Sequence, residues 1–333
     1  MEILRTSEAD AAEILGGIAD YPSGSRVVTI AAGDGADDQE LRVHMVDSGS
    51  VDSGSVDSGS VDTADTNAPV VVFLHGNPSW SYIWRHQIAA AVAAGYRVIA
   101  PDLVGMGLSD KPSEMNDYTV LRHVEWMRSL LVDELSLSDT TFVLHDWGGI
   151  IGMRLAAENP GLAKRLVISN TGLPWRDLAE PLPEVIEATG PFADFQEFAR
   201  TTPEWQPWTL LPITMVTEPK AEVVHGYQAP YPDPSLTIGS RAFTQLLPTR
   251  PDNPMYPACN AAWDVFDTWT QPVLTIFSDQ DAVAPDGWKP IVARIPGAQD
   301  QPHVILEGGG HFLQEDIGDA YTDALMAWLG PAS

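Results

Sequence analysis

The 333-residue chain predicts an α/β protein: a mostly parallel sheet with helices on both faces, and a helical segment inserted after the sixth strand. Three observations carry this. Strands and helices alternate from Val70 onward, the alternation breaks over residues 173–257, and it resumes at Pro272.

Taken in order, Leu41-Arg-Val-His-Met-Val46 reads as a strand, and Val70-Val-Val-Phe-Leu74 as the next. Between them, residues 46–63 repeat Val-Asp-Ser-Gly-Ser three times and end in Val-Asp-Thr. That period is too short for a solenoid unit, and Gly, Ser and Asp at this density favour a solvated loop, here an expanded hairpin loop. The recurring aspartates lack the ligand order and terminal glutamate of an EF-hand. A helix follows through Trp84 to Ala94, then a strand Arg97–Ala100, a helix around Leu121 to Leu135, and a strand Phe142–His145. Another helix and the strand Leu166–Ser169 complete this βαβ rhythm. Residues 173–257 are rich in Pro, Trp and Phe with no clear strand, which predicts a helical insertion over the sheet's C-terminal edge, where open α/β sheets bind ligands. Strand Pro272–Phe277 and a closing helix through Tyr321 to Leu329 end the chain. The expected organisation is therefore a core of residues 1–172 and 258–333 with a helical cap at 173–257.

Composition excludes several classes. The formal charge is −28, with lysine only at Lys111, Lys164, Lys220 and Lys289, so the surface repels nucleic acid and anionic lipid. We infer adaptation to a high-salt cytoplasm, where short-range screening relieves self-repulsion. No apolar run approaches the roughly 20 residues that span a bilayer, and Met-Glu-Ile-Leu-Arg-Thr lacks the order of a secretion signal; a soluble intracellular protein is expected. The single cysteine, Cys259, allows no internal disulfide and no Cys cluster for zinc, and reads as a small partly buried hydrophobe.

The segment Phe142-Val-Leu-His-Asp-Trp-Gly-Gly-Ile-Ile-Gly152 reads as a strand turning sharply into a helix, with Asp146 where a serine hydrolase places its serine. Serine there needs a base to lose its proton, whereas a carboxylate is already an anion at neutral pH. Attack by Asp146 on carbon leaves an alkyl ester, which water must then hydrolyse with the help of a base and an oxyanion hole. Gly308-Gly-Gly-His311 supplies the base, in a loop after the last strand. The acid belongs after the strand ending at Ser169 or after the one ending at Phe277. The first offers Asn170 and no carboxylate; the second offers Asp279 or Asp281, and the loop apex favours Asp281. His145 alternates to the other side of its strand and reads as structural. Asp102 and Asp110 flank a glycine turn and read as turn chemistry. The loop Leu74-His-Gly-Asn-Pro78 is placed to give one oxyanion amide, Asn77, with Trp147 giving the other. Their side chains, a carboxamide and an indole, are neutral N–H donors suited to a departing halide.

On these residues the chain closely resembles the haloalkane dehalogenases of the α/β-hydrolase superfamily. The likeness runs through Ile3-Leu-Arg-Thr6, Asp20-Tyr-Pro22, His75 to Tyr82, Ala100 to Leu103, Gly105 to Pro112, His145 to Gly149, Tyr227 to Asp233, Arg241-Ala-Phe243, Pro248 to Asp252 and Gly310-His-Phe312. The resemblance implies Asp146 as nucleophile, His311 as base, Asp281 as the acid orienting it and Trp147 as first halide donor. Some relatives use a cap tryptophan as second donor, but the corresponding stretch here, Pro191 to Phe198, carries Phe195, which cannot donate. Other relatives use the asparagine present here as Asn77, which we take as the donor, with Trp205 and Trp208 as alternative donors from the cap and Phe195 beside them as a further pocket candidate. The implied reactants are a small halogenated alkane and water, giving alcohol, halide and a proton with no metal or organic cofactor. An epoxide hydrolase, the nearest rival, needs cap tyrosines to protonate the epoxide oxygen, for which Tyr227 and Tyr231 are the candidates. Trp147 after the nucleophile argues against a fluoroacetate-type dehalogenase.

Overall fold

The computed structural model describes residues 1–33, 39–49, 68–182, 190 and 192–332. Strands β1 (Ile3–Leu4) and β6 (Lys111–Pro112) form a small antiparallel ribbon. The large sheet holds β2 (Ser25–Ala31), β3 (Glu40–Asp47), β4 (Val70–Leu74), β5 (Arg97–Pro101), β7 (Thr140–His145), β8 (Ala163–Ser169), β9 (Val273–Ser278) and β10 (Val304–Leu306), in the order β10-β9-β8-β7-β4-β5-β3-β2. The six strands from β10 to β5 run parallel, and β3 and β2 continue antiparallel.

The central strands are continuous apolar runs because both of their faces are covered; every residue of β7 and β9 is buried. Alternation sorts their side chains into two cores. Val71, Phe73, Val143 and Val167 pack with helices α2 (Arg85–Ala93) and α12 (Gly318–Leu329), with α1 (Glu8–Gly16) at the margin. Val72, Leu74, Phe142 and Leu144 pack instead with α3 (Val120–Arg128), α4 (Trp147–Glu158) and α9 (Tyr256–Phe266). The α3 helix continues as a π-helical turn, Ser129–Glu134, so the predicted helix to Leu135 is two pieces.

One expectation is corrected. β3 does not form a hairpin with β4; it pairs with β5 and β2, and β5 lies between β3 and β4. The connection that carries the repeat is a crossover, because β4 takes a central place beside β7. The repeat itself, from residue 50, lies outside the described residues.

β8 is the sixth strand of the large sheet, and between it and β9 no strand occurs among the described residues. That stretch holds α5 (Phe192–Thr201), α6 (Leu211–Thr214), α7 (Ala221–Gln228) and α8 (Ile238–Gln245). These helices meet loops at the C-terminal ends of the strands: Trp80 Nε1 donates to Gly226 O, Gly107 N to Tyr231 Oη, and Phe312 N to Thr214 O. After Ser169, α10 (Trp288–Arg294) and α11 (Leu313–Asp316) complete the helices that flank the functional loops. Among the described residues no helix is long and apolar enough to cross a membrane.

Candidate active site

The turn from β7 into α4 holds Asp146 at φ 50° and ψ −126°, outside the regions an L-residue prefers. Such a turn survives only where surrounding contacts determine it. Thr171 Oγ1 and Gly149 N both donate to Asp146 O, at 2.6 and 2.8 Å. Two glycines make room: a Cβ on Gly148 would stand 2.2 Å from Leu74 O, and one on Gly76 would stand 2.0 Å from Asp146 Oδ1. The β4 loop can therefore approach Asp146 closely enough for Asn77 N to donate to its Oδ1 at 2.7 Å.

The other carboxylate oxygen, Oδ2, faces His311 Nε2 at 3.2 Å, and His311 Nδ1 meets Asp281 Oδ1 at 3.0 Å. Asp281 is fixed in turn by the amides of Val283 and Ala284, at 2.8 and 3.2 Å. The alternative acid, Asp279, accepts from Gly308 N instead, which braces the loop before His311. Three loops from distant parts of the sequence thus align carboxylate, imidazole and carboxylate in one row.

Electrostatics follow from this row. Desolvation alone raises the Asp146 carboxyl, but the hydrogen bond and charge of His311, with help from His145 and the Trp147 amide, hold it below the ordinary carboxylate range. Desolvation alone lowers His311, yet the charge of Asp281 and hydrogen bonds to Asp146 and Asp281 push it up to about 10. The resting pair is therefore an imidazolium between two carboxylates. Behind it, burial and the positive His311 push His145 down to about 4, so His145 stays neutral and its Nε2–H donates to His311 O at 2.8 Å. Asn170 also donates to that carbonyl, at 3.0 Å, while binding Gly310 O and Ser278. The residue where an acid was absent is a clamp on the backbone of His311.

Asn77 and Trp147 flank Asp146. Asn77 Oδ1 accepts from Ser240 Oγ at 2.8 Å, and Trp147 packs edge-on against Phe243, both partners lying on α8. Among the described residues neither the Asn77 Nδ2 hydrogens nor the Trp147 indole N–H has an acceptor. Of the other pocket candidates, Trp205 spends its N–H on Ser240 Oγ at 3.1 Å and packs against Phe195, while Trp208 stacks on Tyr231. Tyr227 donates its hydroxyl to Glu315 and Tyr231 accepts from Gly107, so both are tied into the framework. Asp102 does cap its turn at Leu108, but it also takes Ser81 N and His44 Nδ1; Asp110 takes Arg5 and Arg42. Each is an anchor between distant segments more than a turn residue. Reading the sequence missed Thr171, Ser240 and the clamping role of Asn170, since no local motif marks them.

The family model for the alpha/beta hydrolase fold matches residues 69–316. Curated relatives include a haloalkane dehalogenase of Mycobacterium marinum, 38% identical over 98% of this chain and 100% of the relative. Another, from Psychrobacter cryohalolentis, is 39% identical over 99% of this chain and 98% of its own length. Among solved structures, the tetrameric haloalkane dehalogenase DpaA from Paraglaciecola agarilytica NO2 is similar with a TM-score of 0.78 at 26% identity, covering 97% of each chain.

Proposed function

The chain belongs to the haloalkane dehalogenases of the α/β-hydrolase fold, and from that premise we propose how its own residues divide the reaction. The enzyme hydrolyses haloalkanes to alcohol, halide and a proton through an ester intermediate. Asp146 is the nucleophile, His311 the base, Asp281 the acid that orients it, and Asn77 and Trp147 the halide donors. The observation that carries this reading is the pair of unclaimed N–H donors beside a carboxylate already aligned with His311 and Asp281.

Asp146 Oδ1 is held by the Asn77 amide, which leaves Oδ2 to attack. The C–O bond forms as the carbon–halogen bond breaks, and the halide takes the bonding pair into the Asn77 and Trp147 donors. Alkylation removes the charge of Asp146, so His311 loses part of what held its proton and releases it to solvent. The neutral imidazole then takes a proton from water as the oxygen adds to Asp146 Cγ. The oxyanion forms on Oδ1, which accepts from the Asn77 amide, with the Trp147 amide as the second donor. Collapse expels the alkoxide, which is protonated as the carboxylate and imidazolium are restored. The sum is haloalkane and water to alcohol, halide and one proton.

Tyr227 commits its hydroxyl proton to Glu315, which favours this chemistry over epoxide opening by that tyrosine. We also assign the cap role to residues 173–257 and read the −28 charge as suited to a salt-rich cytoplasm. The test is 1-bromobutane with wild type and His311→Ala, beside styrene oxide. Wild type should release bromide and butanol continuously; His311→Ala should release about one bromide per chain and retain the alkyl group as an ester visible by mass. Sustained turnover by the variant contradicts the base, and turnover of the epoxide alone contradicts the whole assignment.

A further inference from the structure

We propose that Ser240 and Trp205 are positioning residues for halide capture, fixing which end of the Asn77 carboxamide meets the leaving halide. The proposal rests on the reading of Asn77 as a halide donor. A carboxamide has two ends of similar shape and opposite use: the NH₂ end attracts an anion and the carbonyl end repels it. Rotation about the last side-chain bond exchanges them. Something must choose between the two, or part of the population presents oxygen to the halide.

Ser240 makes the choice by donating its hydroxyl to Asn77 Oδ1 at 2.8 Å. A hydroxyl alone is ambiguous, because it can accept from an amide as readily as it donates. Trp205 reduces that ambiguity. Its indole N–H is a donor only, and it donates to Ser240 Oγ at 3.1 Å. For the amide to flip, Ser240 would have to accept twice and find its own proton another acceptor. The usual alternative for a helical serine is the carbonyl one turn back, and Ser240 does not use it. The chain of bonds therefore has one sense: donor-only indole, hydroxyl, acceptor end of the amide. It terminates at the Asn77 Nδ2 hydrogens, which have no acceptor among the described residues.

Burial gives the relay its force. Ser240 is fully buried and Trp205 nearly so, so an unpaired partner here has no bulk water to turn to. Bonds linked head to tail also polarise one another, which strengthens the outward N–H groups. Phe243, one helical turn beyond Ser240, packs against Trp147, so α8 sets both halide donors at once. A tryptophan of the inserted segment thus serves the halide through serine and asparagine, without touching it.

The experiment uses the full chain. Bromide affinity is measured by calorimetric titration at constant ionic strength, with kcat, KM and Tm, for wild type, Asn77→Ala, Ser240→Ala, the double variant and Trp205→Phe. Ser240→Ala should weaken bromide binding and lower kcat/KM about tenfold, the scale of one hydrogen bond. Trp205→Phe should do so about threefold, and Ser240→Ala should add nothing in the Asn77→Ala background. A tie that merely holds the helix in place would lower Tm and leave bromide affinity intact. Wild-type bromide affinity in Ser240→Ala alongside weak binding in Asn77→Ala overturns the relay and spares the donor, as does an additive double variant. Wild-type affinity in Asn77→Ala removes the donor and the relay together. If Ser240→Ala fails to fold, Trp205→Phe decides on the same readouts.

Discussion

On the proposed reading Asp146 starts as a carboxylate, becomes an ester and is restored, and His311 must change role as it does so. In the resting state His311 is held as an imidazolium, pushed up to about 10, and an imidazolium is no base. Alkylation turns the neighbour at 3.2 Å from a carboxylate into a neutral ester, which removes its charge and weakens its hydrogen bond. The base is thereby armed by the first half-reaction. Asp146→Asn copies the neutral state, so we expect the His311 ring, followed by NMR, to titrate well below its wild-type value. Titration still near 10 in the variant would mean that Asp281 alone holds the proton. The same shift has a stability sign. His311 binds its proton more tightly folded than unfolded, where its pKa is about 6.5, so its contribution is complete below that value and is lost as pH rises through about 10. Asp146 and Asp281, both depressed, contribute above the unfolded carboxylate range and lose it as pH falls.

The elements that carry these residues differ in how openly the sequence announces them. Parallel strands buried on both faces are bare apolar runs, so β4, β7 and β9 are legible within a residue or two, and β8 within three, its first residues Ala163-Lys-Arg165 being less apolar. The edge strand β2, the ribbon β1–β6 and helix α1 carry weaker patterns that the sequence reading does not pick out; without β2, the true hairpin partner of β3, the β3–β4 connection that carries the repeat reads as a hairpin loop. The site follows the same rule. Asp146, Asn77, Asp281 and His311 each stand in the loop after a strand, and Trp147 opens the helix that follows one, where local motifs mark them. Ser240 bonds Asn77 across 163 positions of sequence, and nothing near either residue signals it. Helix α8 reaches that place through Gly239, where a Cβ would stand 2.3 Å from Gly105 O and 2.5 Å from its Cα. Backbone cannot yield as a flexible side chain does. Gly239→Ala should therefore cost about 1–3 kcal/mol of stability, as overpacking does, and should weaken bromide binding by shifting Ser240 and Phe243 together. Unfolding curves and bromide titration check this; lost stability with unchanged halide affinity would mean that α8 does not set the donors.

At the scale of the whole molecule, the opposing charges are far from balanced: 46 acidic residues face 18 basic ones. Many of the arginines are committed locally, as Arg97 is to Asp47, Arg42 to Asp110, Arg294 to Asp267 and Arg250 to Asp252. Pairing therefore consumes the cations and leaves a surplus of carboxylates to repel one another through solvent. That repulsion reaches about 30 Å in 0.01 M salt and about 3 Å at 1 M, so raising KCl screens it almost completely. The buried ties respond differently. Arg85 meets Glu315 through two bonds of 2.7 Å, both side chains nearly excluded from water, and Asp281 meets His311 under the same cover. Salt screens these far less. Added KCl should thus remove the unfavourable long-range term while leaving the favourable short-range one in place, and Tm should rise steadily from dilute buffer to molar KCl. Chloride can also bind between Asn77 and Trp147 and stabilise by linkage, so the rise is read in Asn77→Ala beside wild type; sulfate is avoided because it stabilises most proteins by exclusion from their surface whatever their charge. A Tm that is highest in dilute buffer would mean that the surplus carboxylates stand too far apart to matter, and the salt-adapted reading would fall with them.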